Sequence, residues 1–218
     1  MDLKEARKRM VRRLIDTGYV SSPAVTKAME TVERHLFLPA QLQGQAYMDT
    51  PLHIGEGQTI SAPHMVGMMA EALDLHPGLR VLEVGGGSGY HAAVMAELVQ
   101  PDGKVYSIER IGSLAEMAEK NLALAGYSKM VEMKLGDGTK GWSEEAPFDR
   151  ISIAAAAPYV PDPLKQQLKE GGKLLIPIGG KWYQDLVLVI RKKDGFVTKD
   201  LGGCVFVPLI GEYGFKEE

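Results

Sequence analysis

Residues 81–89, Val81-Leu82-Glu83-Val84-Gly85-Gly86-Gly87-Ser88-Gly89, set an apolar run directly against a glycine-rich turn. The run extends from Leu79 to Val84, and a helical stretch from about Tyr90 to Val99 opens just after the glycines. Asp102-Gly103 then precedes a second apolar run, Val105 to Ile108, which completes a strand-helix-strand unit. A glycine turn at the carboxyl end of the first strand lies where open α/β sheets bind ligands, and its lack of side chains lets a ligand approach the backbone. A plain strand-to-helix connection is the competing reading.

Downstream the alternation continues. The pattern predicts a helix from about Ser113 to Ala125 stopped by Gly126, and strands at Val131 to Leu135 and Ile151 to Ala154. A short helix around Leu164 to Leu168 is expected to end at Gly171-Gly172, before a strand from Lys173 to Ile178. Leu186 to Arg191 and Phe196 to Lys199, joined at Asp194-Gly195, read as a hairpin that gives the sheet an antiparallel edge. Upstream, Leu3, Ala6, Met10, Val11, Leu14 and Ile15 recur at helical spacing up to Gly18. Ser22 and Pro23 open a second helix running to about Val32. Residues 41–59 show no period and read as loop, and Ser61-Ala62-Pro63-His64 opens a third helix with Met65, Met68, Met69 and Leu73 on one face. The expected fold is α/β: a doubly wound, mostly parallel sheet with helices on both faces and an N-terminal helical extension. One domain, 1–218, divides into an N-terminal helical and loop extension (1–60) and an α/β core (61–218) with the glycine turn and the C-terminal strands.

Composition narrows the function. Twenty-five basic and 28 acidic residues leave a formal charge of -3 with no basic block, which disfavours a broad nucleic-acid surface. Cys204 is the only cysteine, so no intrachain disulfide can form and no metal site is expected; a reducing cytoplasm suits the chain. The charged start, Met1 to Arg9, lacks the apolar stretch of a signal peptide, and no apolar run reaches membrane-spanning length.

The nucleotide class follows from the glycine spacing. A dinucleotide fingerprint places a third glycine at the sixth position, but here that position is Tyr90, whose side chain obstructs close helix approach to a pyrophosphate. G-x-G-x-G suits a cofactor without phosphate, and S-adenosylmethionine is one. Glu109 ends the next strand, about twenty residues on, where a carboxylate can accept from both ribose hydroxyls; paired with Arg110, it also reads as a solvated ion pair. Asp137, in Gly136-Asp137-Gly138, reaches the adenine edge or simply makes a turn. The expected cofactor set is Glu83, Gly85, Gly87, Ser88, Gly89, Glu109, Arg110, Asp137 and Gly138.

Several segments resemble, in order and spacing, the protein-L-isoaspartate O-methyltransferase family. They are Arg34-His35-Leu36-Phe37-Leu38-Pro39, Gly55-Glu56-Gly57-Gln58-Thr59-Ile60-Ser61-Ala62-Pro63-His64-Met65, the glycine turn, Gly136-Asp137-Gly138, Ala146-Pro147-Phe148-Asp149 and Phe206-Val207-Pro208-Leu209. The Gly-Gln-Thr-Ile-Ser stretch is the distinctive one. The resemblance implies that Ser61 stands at the acceptor site and that Thr59, Ile60 and His64 shape it. It also implies that the backbone of Val207, Pro208 and Leu209 takes the acceptor peptide as an added strand, and that Ala156 lies beside the transfer point. Ser61 also reads as an N-cap, and His64 as a helix-start residue without a ligand. Gly86 departs from the small hydroxyl residue common in the family at that place, and the run Ala154-Ala155-Ala156-Ala157 lacks a threonine often seen there.

An acceptor carboxylate with a pKa of roughly 4 is ionised at neutral pH, so no general base is needed and Ser61 is assigned to orientation. The resemblance implies a monomer acting on isoaspartyl-containing peptides and proteins. Methylation of a small molecule or RNA by the same cofactor domain, and a cofactor-binding regulator without catalysis, are the alternatives.

Overall fold

The computed structural model describes residues 2–217; Met1 and Glu218, the ends of the expected unit, lie outside them. Helix α1 (Leu3–Asp16) is capped by Asp2, whose carboxylate accepts from Lys4 N at 2.9 Å, and it buries Ala6, Met10, Val11 and Leu14. Helix α2 (Pro23–Thr31) starts as expected, with Ser22 Oγ accepting from Val25 N at 3.2 Å and Pro23 in the first turn. A 3-10 turn at Arg34–Phe37 follows. Arg34 is fully buried: its Nε donates to the carbonyl of Ala46 at 2.8 Å, and its guanidinium lies 5.0 Å from the Tyr90 ring centre. The N-terminal segment is thereby fastened to the helix that follows the glycine turn.

The expected loop at 41–59 is corrected over its second half. Strands β1 (Leu52–Gly55) and β2 (Gln58–Ile60) form an antiparallel hairpin with Gly55 opposite Gln58. Its two-residue turn places Glu56 at φ 52 and Gly57 at φ 67, the backbone a tight hairpin requires. Strands of four and three residues are too short to show a period, although Leu52, Ile54 and Ile60 are buried. Helix α3 (Pro63–Leu73) buries Val66, Met69, Ala70 and Leu73; Met65 and Met68, expected on that face, are half-buried.

The main sheet runs β5-β4-β3-β6-β7-β8-β9, built from β3 (Arg80–Val84), β4 (Lys104–Glu109), β5 (Val131–Leu135), β6 (Phe148–Ile153), β7 (Leu168–Gly179), β8 (Gln184–Lys192) and β9 (Gly195–Cys204). Strands β3 to β7 are parallel, and β8 is antiparallel to both neighbours. From β3 the chain winds outward through α4 (Tyr90–Val99), β4, α5 (Gly112–Leu124) and β5. It then returns to lay β6 on the other side of β3. The strand order reverses there, and a crevice opens beyond the carboxyl ends of β3 and β6.

Strand residues alternate between two cores. Val81 and Val105 pack with the helices α3 and α4, while Leu82, Val84, Tyr106, Ile108, Ile151 and Ile153 pack with Phe148, Leu164 and Leu168. Each buried aliphatic side chain contributes about 1.5–3 kcal/mol relative to exposure. Helix α6 (Asp162–Gln166) lies two residues earlier than expected, and β7 begins at Leu168 and runs through Gly171-Gly172 instead of starting after them. The glycines belong to an irregularity: the pairing steps from Phe148 opposite Leu168 to Arg150 opposite Lys173, and Gly171 takes φ 76. A bulge and a helix stop use the same residue types, so the pattern alone does not separate them.

Candidate active site

A cavity with about 800 Å³ of space free of protein atoms occupies the crevice. The glycine turn forms one wall. Gly85, Gly87 and Gly89 take φ of 91, 53 and 87, conformations that a side chain strains, and the N–H groups of Gly85 and Gly86 both donate to the carbonyl of Ile108. Gly85, Gly86, Gly87 and Ser88 line the cavity. Gly89 does not: it stands behind the turn, where a Cβ would fall 3.1 Å from Leu122 Cγ, so its role is close packing of α4 on α5. Gly138 lines the opposite wall, and a side chain there would run into Val84.

Glu109 closes β4 at the cavity edge. Its Oε2 accepts from Gly87 N and its Oε1 from Ile111 N, both at 2.9 Å, so the carboxylate joins the glycine turn to the start of α5. Each oxygen keeps a further lone pair for a hydroxyl donor. Arg110 also lines the cavity, and its outer end pairs with Glu217 at 3.2 Å on the surface.

Besides Gly89, four expected residues lie off the cavity lining, for identifiable reasons. Glu83 is fully buried under it; its Oε2 accepts from Ser107 Oγ, and burial pushes its carboxyl up to about 8. Asp137 is turned toward the C-terminal segment, with Oδ1 accepting from Thr139 N and Oγ1 and Oδ2 accepting from Glu212 N at 2.8 Å. Burial raises its pKa, but those hydrogen bonds outweigh it and hold the group below the ordinary carboxylate range. The turn expected at Asp137 is present, and its Oδ2 keeps a further lone pair for a donor. His64 faces Asp49, whose Oδ1 takes both its backbone N–H and its Nδ1, each at 2.9 Å, and its ring stands 5.0 Å from that of Tyr19. Ala156 works through its backbone: its N–H donates to Val207 O at 2.8 Å and its carbonyl accepts from Leu209 N at 2.7 Å.

The acceptor segments meet the glycine turn across the cavity. Gln58, Thr59, Ile60 and Ser61 line it from the hairpin side, and Val207, Pro208, Leu209 and Ile210 from the C-terminal side. Ser61 is half-buried and stands one residue ahead of the α3 cap position, which Ala62 occupies without a side-chain bond. The capping reading of Ser61 is therefore corrected, and the residue lines the cavity. Pairing with Ala156 uses the inner edge of the C-terminal segment; the carbonyl of Pro208 and the N–H of Ile210 make no hydrogen bond with another described residue. The hairpin also reaches over the cavity: Ser113 Oγ donates to Glu56 Oε1 at 2.9 Å, and Ile54 Cδ1 lies against Gly87.

Sequence reasoning stopped at Gly89 and so missed Tyr90 and His91, the first two residues of α4, which both line the cavity. Their position just after the turn was the available signal. His91 is buried, and loss of solvent lowers its imidazole to about 4.

Comparison with known proteins gives a consistent picture. The family model for protein-L-isoaspartate(D-aspartate) O-methyltransferase matches residues 5–214. A protein-L-isoaspartate O-methyltransferase of Methanopyrus kandleri is 55% identical, over 98% of this chain and 95% of its own. That of Hyperthermus butylicus is 54% identical, over 98% and 92%. Among solved structures, the Plasmodium falciparum protein-L-isoaspartate O-methyltransferase in complex with S-adenosyl-L-homocysteine superposes with a TM-score of 0.84 at 30% identity, covering 94% of this chain and 98% of that one.

Proposed function

The chain belongs to the protein-L-isoaspartate(D-aspartate) O-methyltransferase family, methylating isoaspartyl residues with S-adenosylmethionine, and we propose that this transfer takes place in the cavity between the glycine turn and Ser61. The observation that carries this reading is the convergence on one cavity of Gly85–Ser88, Glu109, Ser61 and Val207–Ile210.

The cavity fits the cofactor. Its glycine wall offers bare backbone, Tyr90 stands in the sequence where a dinucleotide site has its third glycine, and Glu109 presents carboxylate lone pairs at the strand end. When bound, the cofactor supplies an electrophilic methyl group on a sulfonium sulfur. Glu109 would hold the ribose hydroxyls, and Gly85, Gly87 and Ser88 would line the methionine side.

The acceptor is an anion that needs no deprotonation, so the residues around it orient and shield. The free carbonyl of Pro208 and N–H of Ile210 form an open strand edge that holds an extended peptide. Ser61 Oγ hydrogen-bonds one oxygen of the isoaspartyl carboxylate and leaves the other aimed at the methyl. Thr59 and Ile60 close the hairpin side against water. Positioning of this kind contributes on the order of several kcal/mol. The ester has a methoxy group that can leave, so attack of the neighbouring backbone nitrogen on its carbonyl carbon expels methanol and yields a succinimide, which water reopens to aspartate or to isoaspartate for another round.

The enzyme is read as one unit over 1–218, a monomer of the cytoplasm that acts on isoaspartyl proteins and peptides without nucleic acid. Support comes from the even charge distribution and the single cysteine. No helix among the described residues is long and apolar enough to cross a membrane. Incubation with labelled methyl donor and paired isoaspartyl and aspartyl peptides tests the function: transfer to the isoaspartyl peptide alone is expected, and equal transfer to both would remove it.

A further inference from the structure

Beyond the open edge of Val207–Ile210, the surface is unusually aromatic. Trp182 is 89% exposed, Tyr183 63%, Tyr159 55% and Val205 72%. A tryptophan so open to water is uncommon on a surface with no partner, and contiguous apolar groups of this kind mark contact sites.

These residues are joined to the acceptor segment by specific bonds. The fully buried Gln184 accepts from Phe206 N at 2.8 Å through Oε1 and donates to Gly180 O at 2.6 Å through Nε2. One amide therefore fixes the turn carrying Trp182 to Phe206, the residue just before the acceptor segment. Gln184 pairs with Cys204, so Tyr183 and Val205 follow as cross-strand neighbours, and the Tyr183 ring lies over Gly203, where any side chain would collide with it. On the other flank, Gly179 N donates to Ala157 O at 3.0 Å, which brings the Tyr159 loop beside the same turn, while Ala156 holds Val207. Residues 156–159, 179–183 and 205–207 thus form one hydrogen-bonded unit. Its inner margin lines the transfer cavity, and its outer margin carries the aromatic groups.

We propose that Trp182, Tyr183, Tyr159 and Val205 form an extension of the acceptor groove that takes an apolar side chain of the same extended polypeptide, a few residues from the isoaspartyl. This rests on the reading that the acceptor lies along Val207–Ile210. The enzyme accordingly selects damaged sites in stretches with apolar flanks, the kind buried in a folded protein and exposed when it opens. Two-torsion aromatic side chains suit the task, offering large contact area at little entropic cost.

The test is a peptide series sharing one isoaspartyl residue, with alanine flanks throughout or with a single leucine or phenylalanine at each flanking position in turn, methylated by the full chain. The wild type is expected to favour one apolar-flanked peptide over the all-alanine peptide by roughly tenfold in kcat/KM, as one anchored side chain supplies. In Trp182→Ala that ratio falls toward one, and in Trp182→Phe it is largely restored; calorimetric binding of S-adenosylhomocysteine checks that both variants are folded. Methylation of every peptide with no flank preference, or a preference that survives in Trp182→Ala with Tyr183→Ala added, overturns the groove while leaving the acceptor reading intact. No methylation of any isoaspartyl peptide overturns both. A wild-type dimer in sedimentation that Trp182→Ala dissociates also overturns the proposal, because the aromatic surface then serves self-association.

Discussion

Oε1 of Glu83 and Nδ1 of His91 lie 3.5 Å apart beneath the cofactor cavity. Register places Ser107 and Ser152 on either side of Glu83, one from β4 and one from β6, so a row of polar groups crosses the sheet under α4. Glu83 Oε1, His91 Nε2 and Ser152 Oγ are buried without a hydrogen-bond partner. Burial raises Glu83 to about 8 and lowers His91 to about 4. Between about 4.5 and 6.5 the unfolded chain ionises Glu83 and keeps His91 protonated while the folded chain does neither, so the two slopes oppose each other. From about 6.5 to 8 only the glutamate term remains: the folded state retains a proton that the unfolded state has lost, and stability falls as pH rises. Glu83→Gln is expected to flatten the melting temperature of the free protein over that interval. An unchanged slope would show that Glu83 is ionised in the folded state.

Glu109 links Gly87 N to Ile111 N. Glu109→Ala leaves both donors without that acceptor and removes the carboxylate from the ribose side. Hydrogen bonds to charged groups contribute about 1.5–3 kcal/mol each, so the dissociation constant for S-adenosylhomocysteine should rise roughly ten- to hundredfold by calorimetry. Undiminished affinity would place the ribose elsewhere.

Ser61 caps no helix, so its removal should spare the fold. Ser61→Ala is expected to lower kcat by about tenfold, the loss of one orienting hydrogen bond, while donor affinity stays within about twofold. A kcat equal to wild type would deny the hydroxyl any part in aligning the acceptor.

At Gly86, an added Cβ would fall 2.6 Å from Ser107 Oγ and 2.9 Å from Met133 Cε. The methionine tip can give way, but Ser107 is held by Glu83. Introducing the hydroxyl common in the family, Gly86→Ser, should therefore destabilise by about 1–2 kcal/mol in thermal melts. Pairing it with Ser107→Ala should recover part of the loss; equal cost in both backgrounds would mean the crowding lies with Met133 instead.

The parallel strands were readable because burial on both faces leaves short apolar runs such as Val81–Val84, and the glycines that close them are required by positive φ. What was hidden depends on distant partners. Asp137 bonds Glu212, 75 residues away, and His64 bonds Asp49, 15 residues away, contacts that no local pattern announces. The hairpin at Leu52–Ile60 was missed because its strands are too brief for a period and its turn uses Glu56 at φ 52, a residue that announces no turn. The row Ser107–Glu83–Ser152 exists only once the strands are in register.

That hairpin couples the two walls of the cavity. It bears Ser61 at its trailing end, while its tip rests on Ser113 across the cavity mouth. One short piece of chain therefore touches the glycine turn through Ile54 and lines the facing wall through Gln58, Thr59, Ile60 and Ser61. A change at its tip is therefore felt at the cofactor wall and at the acceptor wall together.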